Sequence, residues 1–350
     1  MDQSMNRFGA EREALLQRLF PQGFPSLWCP LISHYAEDGS IDRARMRAQL
    51  HHLAPNVGGF LIPGSTGDGW EMSKQQSQAL VEIALQEVGA IKGKLLIGAL
   101  AFETQTVLAS IEDSLALIRM VSGASASEQA IAGSPVCGFT VCAPRGRDLG
   151  QDRIRSALDT VLALGVPVSL YQLPQVTENE ISPQTIAELA AKYPNFYMFK
   201  DTGGSDRVAN WGFDQVLMLR GAEGAYAEHL AVAGGTYDGF MLSAANGFSR
   251  ELKAIRTDLE QGNTPRALAL SRNLGQTVEE IFELAQPLPH GNAFANANKA
   301  LDHFCAYGPG AACVPAPWLC AGHRLPKQFV EAVGAVLTQH RLMPTNAYLV

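Results

Sequence analysis

Asn195-Phe196-Tyr197-Met198-Phe199-Lys200 follows closely on residues 182–192, and together they set the pattern from which the fold is read. The first is an apolar strand-like run ending on a lysine. The second carries apolar residues at helical spacing behind Ser182-Pro183, a cap followed by a first-turn proline. The same alternation recurs along the chain. Short apolar runs edged by Gly or Pro are expected as strands at residues 24–32, 57–63, 94–100, 137–143, 166–171, 195–200, 215–220 and 238–243. Helix-period segments lie between them, such as residues 73–88, opened by Ser73-Lys74-Gln75-Gln76 as a capping box. Residues 57–62 and 216–219 are almost continuously hydrophobic, as parallel strands buried on both faces are.

Eight strand–helix units point to an α/β fold of the closed (β/α)8 type, a TIM barrel, rather than an open doubly wound sheet. Three regions are expected: an N-terminal helical extension at residues 1–23, the barrel at 24–250, and a C-terminal helical region at 251–350 packed on it. In the extension, Leu15, Leu16, Leu19 and Phe20 share one side of an amphipathic helix that would pack on the barrel or on a partner subunit. Residues 122–134, rich in Ala, Ser and Gly, read as a flexible insertion before the fourth strand.

Composition excludes several classes. A net charge of −7 with no run of Lys or Arg argues against nucleic acid. No apolar stretch is long enough for a bilayer, and Arg7, Glu11, Arg12, Glu13 and Arg18 interrupt any signal-peptide core, so no membrane association and a cytoplasmic location are expected. Cys29, Cys137, Cys142, Cys305, Cys313 and Cys320 form no C-x-x-C pair and read as free thiols. The eight histidines have no ligand spacing, and no dinucleotide fingerprint follows a strand. Neither a metal nor a cofactor is expected.

In a barrel, chemistry sits where the strands end. Gly64-Ser65-Thr66-Gly67-Asp68-Gly69 after the second strand lacks a P-loop lysine, but offers backbone N–H groups and two hydroxyls suited to a small carboxylate; an ordinary glycine-rich turn is the plainer reading. Tyr171 ends the fifth strand on the same face as Ser169, either as a core residue or as a proton relay. Lys200 ends the sixth, sharing a face with Phe196 and Met198. It could snorkel to solvent or pair with a carboxylate. Held in apolar surroundings instead, its amine would lose charge and become a nucleophile for a ketone, with Tyr171 shuttling protons.

Taken in order, these residues resemble the dihydrodipicolinate synthase / N-acetylneuraminate lyase family of pyruvate-dependent class I aldolases. Asp38-Gly39-Ser40-Ile41-Asp42 is similar to its D-G-x-I-D, Gly64-Ser65-Thr66-Gly67-Asp68 to its G-[ST]-T-G-E with Asp for Glu, and Tyr171-Gln172-Leu173-Pro174 to its Y-N-x-P with Gln for Asn. Lys200-Asp201-Thr202-Gly203 resembles the segment of the Schiff-base lysine, and residues 239–246, with Ser243 and Asn246, the last-strand motif. The resemblance implies Lys200 as Schiff-base nucleophile, Tyr171 as proton relay with Ser65, and Gly64, Ser65, Thr66, Gly67 and Ser243 around the 2-oxo acid. It also implies a homo-oligomer, dimer or tetramer. Two departures stand out. Val176 occupies the place of the arginine that grips a second carboxylate in the synthase branch, and Ala143-Pro144-Arg145-Gly146 lacks the tyrosine that reaches a neighbouring subunit. Arg145 or Arg147 could bind an acidic group on the second substrate, or be a solvated loop charge.

The leading expectation is therefore a lyase that cleaves or forms a C–C bond between pyruvate and an aldehyde through an iminium on Lys200. A dehydratase or hydratase-aldolase acting on a 2-oxo-3-deoxy acid would use the same iminium. A silent 2-oxo acid-binding barrel is the alternative from another class.

Overall fold

A computed structural model describes residues 7–350; the first six residues of the expected N-terminal extension lie outside the described residues. Eight parallel strands close on themselves in sequence order: β1 (Leu27–Pro30), β2 (Gly59–Leu61), β3 (Lys94–Gly98), β4 (Val136–Cys142), β5 (Val168–Gln172), β6 (Phe196–Asp201), β7 (Leu217–Arg220) and β8 (Gly239–Met241). Closure is made by Leu27 against Phe240 and Trp28 against Met241. Every strand expected from sequence is present, each shorter than or offset from its run. The β2 ladder stops before Pro63, which has no N–H to donate.

Local sequence explains the helices that position these strands. Ser73 accepts from the Gln76 N–H at 3.2 Å and the Gln76 side chain accepts from the Ser73 N–H at 3.0 Å, so the capping box forms as read. Ser182 accepts from the Thr185 N–H at 3.1 Å, with Pro183 opening the helix Pro183–Lys192. Two connections fall short of the ideal unit. β6 and β7 are joined through one helical turn, Arg207–Asn210, and β7 and β8 through the 3₁₀ turn Ala231–Ala233. The long helix Thr264–Ala285 packs beside this thin part of the wall, where the Ala227 N–H donates to Ser271 Oγ at 3.2 Å.

Two of the expected regions differ in the structure. The expected break at residue 250 falls inside the helix Ala245–Glu260, which packs on β1 and completes the last unit, so the barrel runs to Glu260. Residues 122–134 are not a loose insertion: they contain the helix Ser127–Ala132, whose Ala130 and Ile131 are buried beside β4. Their small side chains allow close helix packing, which composition alone does not distinguish from flexibility. The N-terminal extension is the helix Ala10–Leu19, seated on the barrel itself. Four of the six cysteines are buried as expected, Cys320 is half-buried and Cys313 is exposed.

Arg12 pins that helix. Its buried guanidinium donates to the carbonyls of Phe196 at 2.8 Å and Tyr193 at 3.0 Å, where the helix before β6 ends and the strand begins. Arg12→Leu would strand these carbonyls and is expected to lower unfolding free energy by about 2–4 kcal/mol in urea titrations. Activity per folded molecule should be retained, because Arg12 sits where β6 begins, at the end of the barrel opposite the C-terminal ends of the strands.

Candidate active site

β6 places Lys200 between Tyr171 of β5 and Leu219 of β7 in strand register. On the far side of Tyr171 the register continues to Cys142 of β4. The lysine is 3% exposed, so it does not snorkel. Nor is it neutralised: among the described residues its Nζ makes no hydrogen bond and has no carboxylate within ion-pair distance. Its contact is the face of the Tyr171 ring, whose centroid lies 4.1 Å from Nζ. Burial lowers its pKa to about 8, opposed by the negative field of the Glu223 carboxylate. Tyr171 is equally buried, and desolvation raises its phenol above the ordinary value. Beside it lies the buried Thr202 hydroxyl, whose interaction with the phenol pulls the other way. A phenol held neutral next to an amine poised to lose its proton can pass protons without becoming a stable phenolate.

Glu223, three residues past β7, was not anticipated from sequence. Its half-buried carboxylate accepts from Ser243 Oγ at 2.7 Å, the Ala244 N–H at 3.0 Å and the Tyr226 hydroxyl at 2.9 Å. Burial nevertheless raises its pKa, and Lys200 pulls the other way. Ser243 thus meets Glu223 at the ends of β7 and β8. Asn246 is structural: its Nδ2 donates to the Pro30 carbonyl at 3.0 Å and its Oδ1 accepts from the Ile32 N–H at 3.1 Å, tying the last unit to the first.

The Gly64–Gly69 loop folds back on itself. The N–H groups of Gly67 and Gly69 both donate to the Gly64 carbonyl, at 3.0 and 2.9 Å, and that of Asp68 turns to Ser65 at 3.3 Å. Among the described residues the N–H groups and hydroxyls of Ser65 and Thr66 donate no hydrogen bond within the turn. Gly67 serves packing instead, since a Cβ there would stand 2.3 Å from the Leu31 carbonyl oxygen. Asp68, in left-handed conformation at φ 60°, anchors the loop to the C-terminal region. Lys299, on the helix Ala293–Tyr307, reaches its carboxylate at 2.6 Å, with both side chains at 3% exposure or less. The Tyr35 hydroxyl donates to the same oxygen at 3.1 Å.

Arg145, read as either a substrate-anion binder or a solvated loop charge, is an exposed side chain paired with Glu178. Its Nε donates to Glu178 at 3.1 Å and a second guanidinium nitrogen bonds the same carboxylate, while the cation lies 5.1 Å from the Phe102 centroid. A substrate anion would have to displace Glu178. Gly146, at the place of the absent tyrosine, donates to the Thr177 carbonyl at 2.9 Å, and the Asn179 amide donates to Pro144 at 2.8 Å. The loops after β4 and β5 are thereby sewn together within one chain. Val176 packs with Cys142, Tyr171 and Leu173, alongside Trp70 and Leu100. Among the described residues no group of three or more His, Cys, Asp or Glu side chains is arranged to hold a metal ion.

Residues 140–296 match the dihydrodipicolinate synthetase family model, a span that runs from within β4 to the start of the helix Ala293–Tyr307. The 4-hydroxy-tetrahydrodipicolinate synthase of Prosthecochloris aestuarii is 27% identical over 267 residues, 74% of this chain and 82% of that protein. Two solved structures share the fold across 91% of the chain. One is YagE of Escherichia coli K12, a dihydrodipicolinic acid synthase family protein in complex with pyruvate, with a TM-score of 0.71, 18% identity and 99% of its chain covered. The other is CdNal of Clostridium difficile in complex with mannosamine, with a TM-score of 0.70, 14% identity and its whole chain (100%) covered.

The Asp68–Lys299 pair gives a stability test. Lys299→Met leaves a buried carboxylate uncompensated and is expected to lower unfolding free energy by about 3–5 kcal/mol. Adding Asp68→Asn should restore part of that loss, an interaction read from urea unfolding of the two single variants and the double variant. Equal and additive losses would mean that the pair does not brace the loop.

Proposed function

We propose, for this divergent member of the dihydrodipicolinate synthetase family of pyruvate-dependent lyases, that Lys200 forms a Schiff base with a 2-oxo acid and makes or breaks the neighbouring C–C bond. The observation that carries this reading is a buried amine with a pKa near 8, unpaired and stacked on a tyrosine at the catalytic end of a barrel. With that pKa about one lysine in ten is neutral at pH 7, against fewer than one in a thousand for an ordinary one. The neutral amine attacks the C2 carbonyl, and loss of water gives the iminium. In the cleavage direction the C4 hydroxyl gives up its proton, the C3–C4 bond breaks, and its electrons move into the iminium as an enamine while the aldehyde leaves. Protonation at C3 and hydrolysis then release pyruvate and regenerate Lys200. Tyr171 carries the protons, with Ser65 as its relay toward the substrate. The N–H groups and hydroxyls of Ser65 and Thr66, set on the Gly64 turn, take the carboxylate.

Glu223 favours a second reading at the same site. A carboxyl whose pKa is raised by burial, beside the lysine's strand, can donate a proton to a departing hydroxyl and turn the iminium chemistry toward dehydration. Product analysis separates the two, since either pyruvate or water leaves. Under the dehydratase reading, Glu223→Gln would slow turnover by about a hundredfold.

Borohydride in the presence of pyruvate is expected to leave a stable mass addition on the peptide containing Lys200, absent in Lys200→Met. No adduct, or an adduct on another lysine, would overturn the assignment. The same protein in analytical ultracentrifugation is expected to sediment as a dimer or tetramer.

A further inference from the structure

We infer that the second substrate is an aldehyde carrying a flat apolar group, an aromatic ring foremost, rather than a polyhydroxy or carboxylated one; this rests on the reading of Lys200 as the Schiff-base former. The mouth of the barrel has two unlike walls. On the β7–β8 side Glu223, Ser243 and Tyr226 form a hydrogen-bonded polar cluster. On the β4–β5 side, where Cys142 and Tyr171 stand next to Lys200 in register, Cys142, Tyr171 and Leu173 make an apolar cluster of their own, with Trp70, Leu100 and Val176 packed against it.

The rim of that apolar wall is aromatic. Trp70 and Phe102 stack with ring centroids 5.0 Å apart and planes 17° from parallel. Arg145 sits over Phe102, and its charge is already answered by Glu178. A hydroxyl chain or a carboxylate laid on this wall would lose its water against Leu100, Leu173 and Val176, which offer no hydrogen bond, and could recover a single one from the buried indole N–H of Trp70, unpartnered among the described residues. A planar ring would instead bury its faces against side chains of the same kind, with edge and offset contacts to the indole. The 2-oxo acid half stays where the Ser65–Thr66 loop holds its carboxylate, so the aldehyde's substituent is what meets the wall.

The reaction inferred is the joining of pyruvate C3, as the enamine on Lys200, to the carbonyl carbon of an aryl aldehyde. The carbonyl oxygen takes up a proton, and hydrolysis frees a 4-hydroxy-4-aryl-2-oxobutanoate; cleavage is the reverse. Nothing is oxidised or reduced overall.

The test compares benzaldehyde, glyceraldehyde and succinic semialdehyde as partners for pyruvate. Benzaldehyde is expected to give a kcat/KM at least tenfold above either of the others. Val176→Arg and Trp70→Ala should each lower that ratio tenfold or more, and loss of folded enzyme does not change a ratio. A pyruvate adduct at Lys200 together with equal or better use of the polar aldehydes, or no use of benzaldehyde, overturns the inference. Absence of the adduct overturns the Schiff-base reading instead. In that case tryptophan quenching by 4-hydroxybenzaldehyde, compared between wild type and Trp70→Phe, decides whether the wall takes a ring.

Discussion

An ammonium group enclosed by a barrel, with the face of a phenol ring against it and no carboxylate in reach, is the constraint on which the rest of the site depends. Taking a cation out of water favours its neutral form unless a counter-charge restores the balance. Among the described residues Lys200 has no such partner, and the negative field of Glu223 is spread over three hydrogen bonds to Ser243, Ala244 and Tyr226. The amine is therefore held between two states instead of being fixed as a cation. That condition follows from strand register. β5 and β7 put Tyr171 and Leu219 on either side of the lysine, so its surroundings are chosen by the barrel and not by a mobile loop.

The neighbouring loop depends on the opposite arrangement. Asp68 and Lys299 are both buried and fully paired, and the pair joins the turn after β2 to a helix 231 residues further along. That helix also carries a buried carboxylate of its own, Asp302, met by Arg45 at 2.6 Å and by the Tyr348 hydroxyl at 2.7 Å. The C-terminal helices thus act as a brace on β1 and β2, where the 2-oxo acid's carboxylate is proposed to bind. They also cover the wall where the β6–β7 and β7–β8 connections are too short to do so. Unpaired charge sits where reactivity is needed, and paired charge where rigidity is needed.

Much of this was legible in the sequence because barrel geometry converts strand ends into site positions. Lys200 and Tyr171 close apolar runs, and a single lysine at the end of such a run is conspicuous. Ser65 and Thr66 announce themselves through the glycines around them. Glu223 was missed because it stands on an irregular loop, three residues beyond the last periodic position of β7, with nothing in the local pattern to mark it. The partners of Arg145 and Asp68 were equally hidden: Glu178 is 33 residues away and Lys299 is 231, and no one-dimensional period spans such distances. The helix Ser127–Ala132 was masked by small residues that serve turns and close packing alike. Pattern found the elements, while long-range ion pairs decided which charges were free.

Reactivity at the strand ends depends on the protonation state of one side chain, Lys200, which can be measured directly. Reductive methylation of the folded protein across a range of pH, followed lysine by lysine by mass spectrometry, reports the neutral fraction of each amine. Lys200 should become reactive with a midpoint near pH 8, well below the surface lysines, and lose that distinction on unfolding. A Lys200 profile that coincides with the surface lysines in the native protein would contradict the account, since an amine still fully protonated at pH 8 has no claim to be the nucleophile.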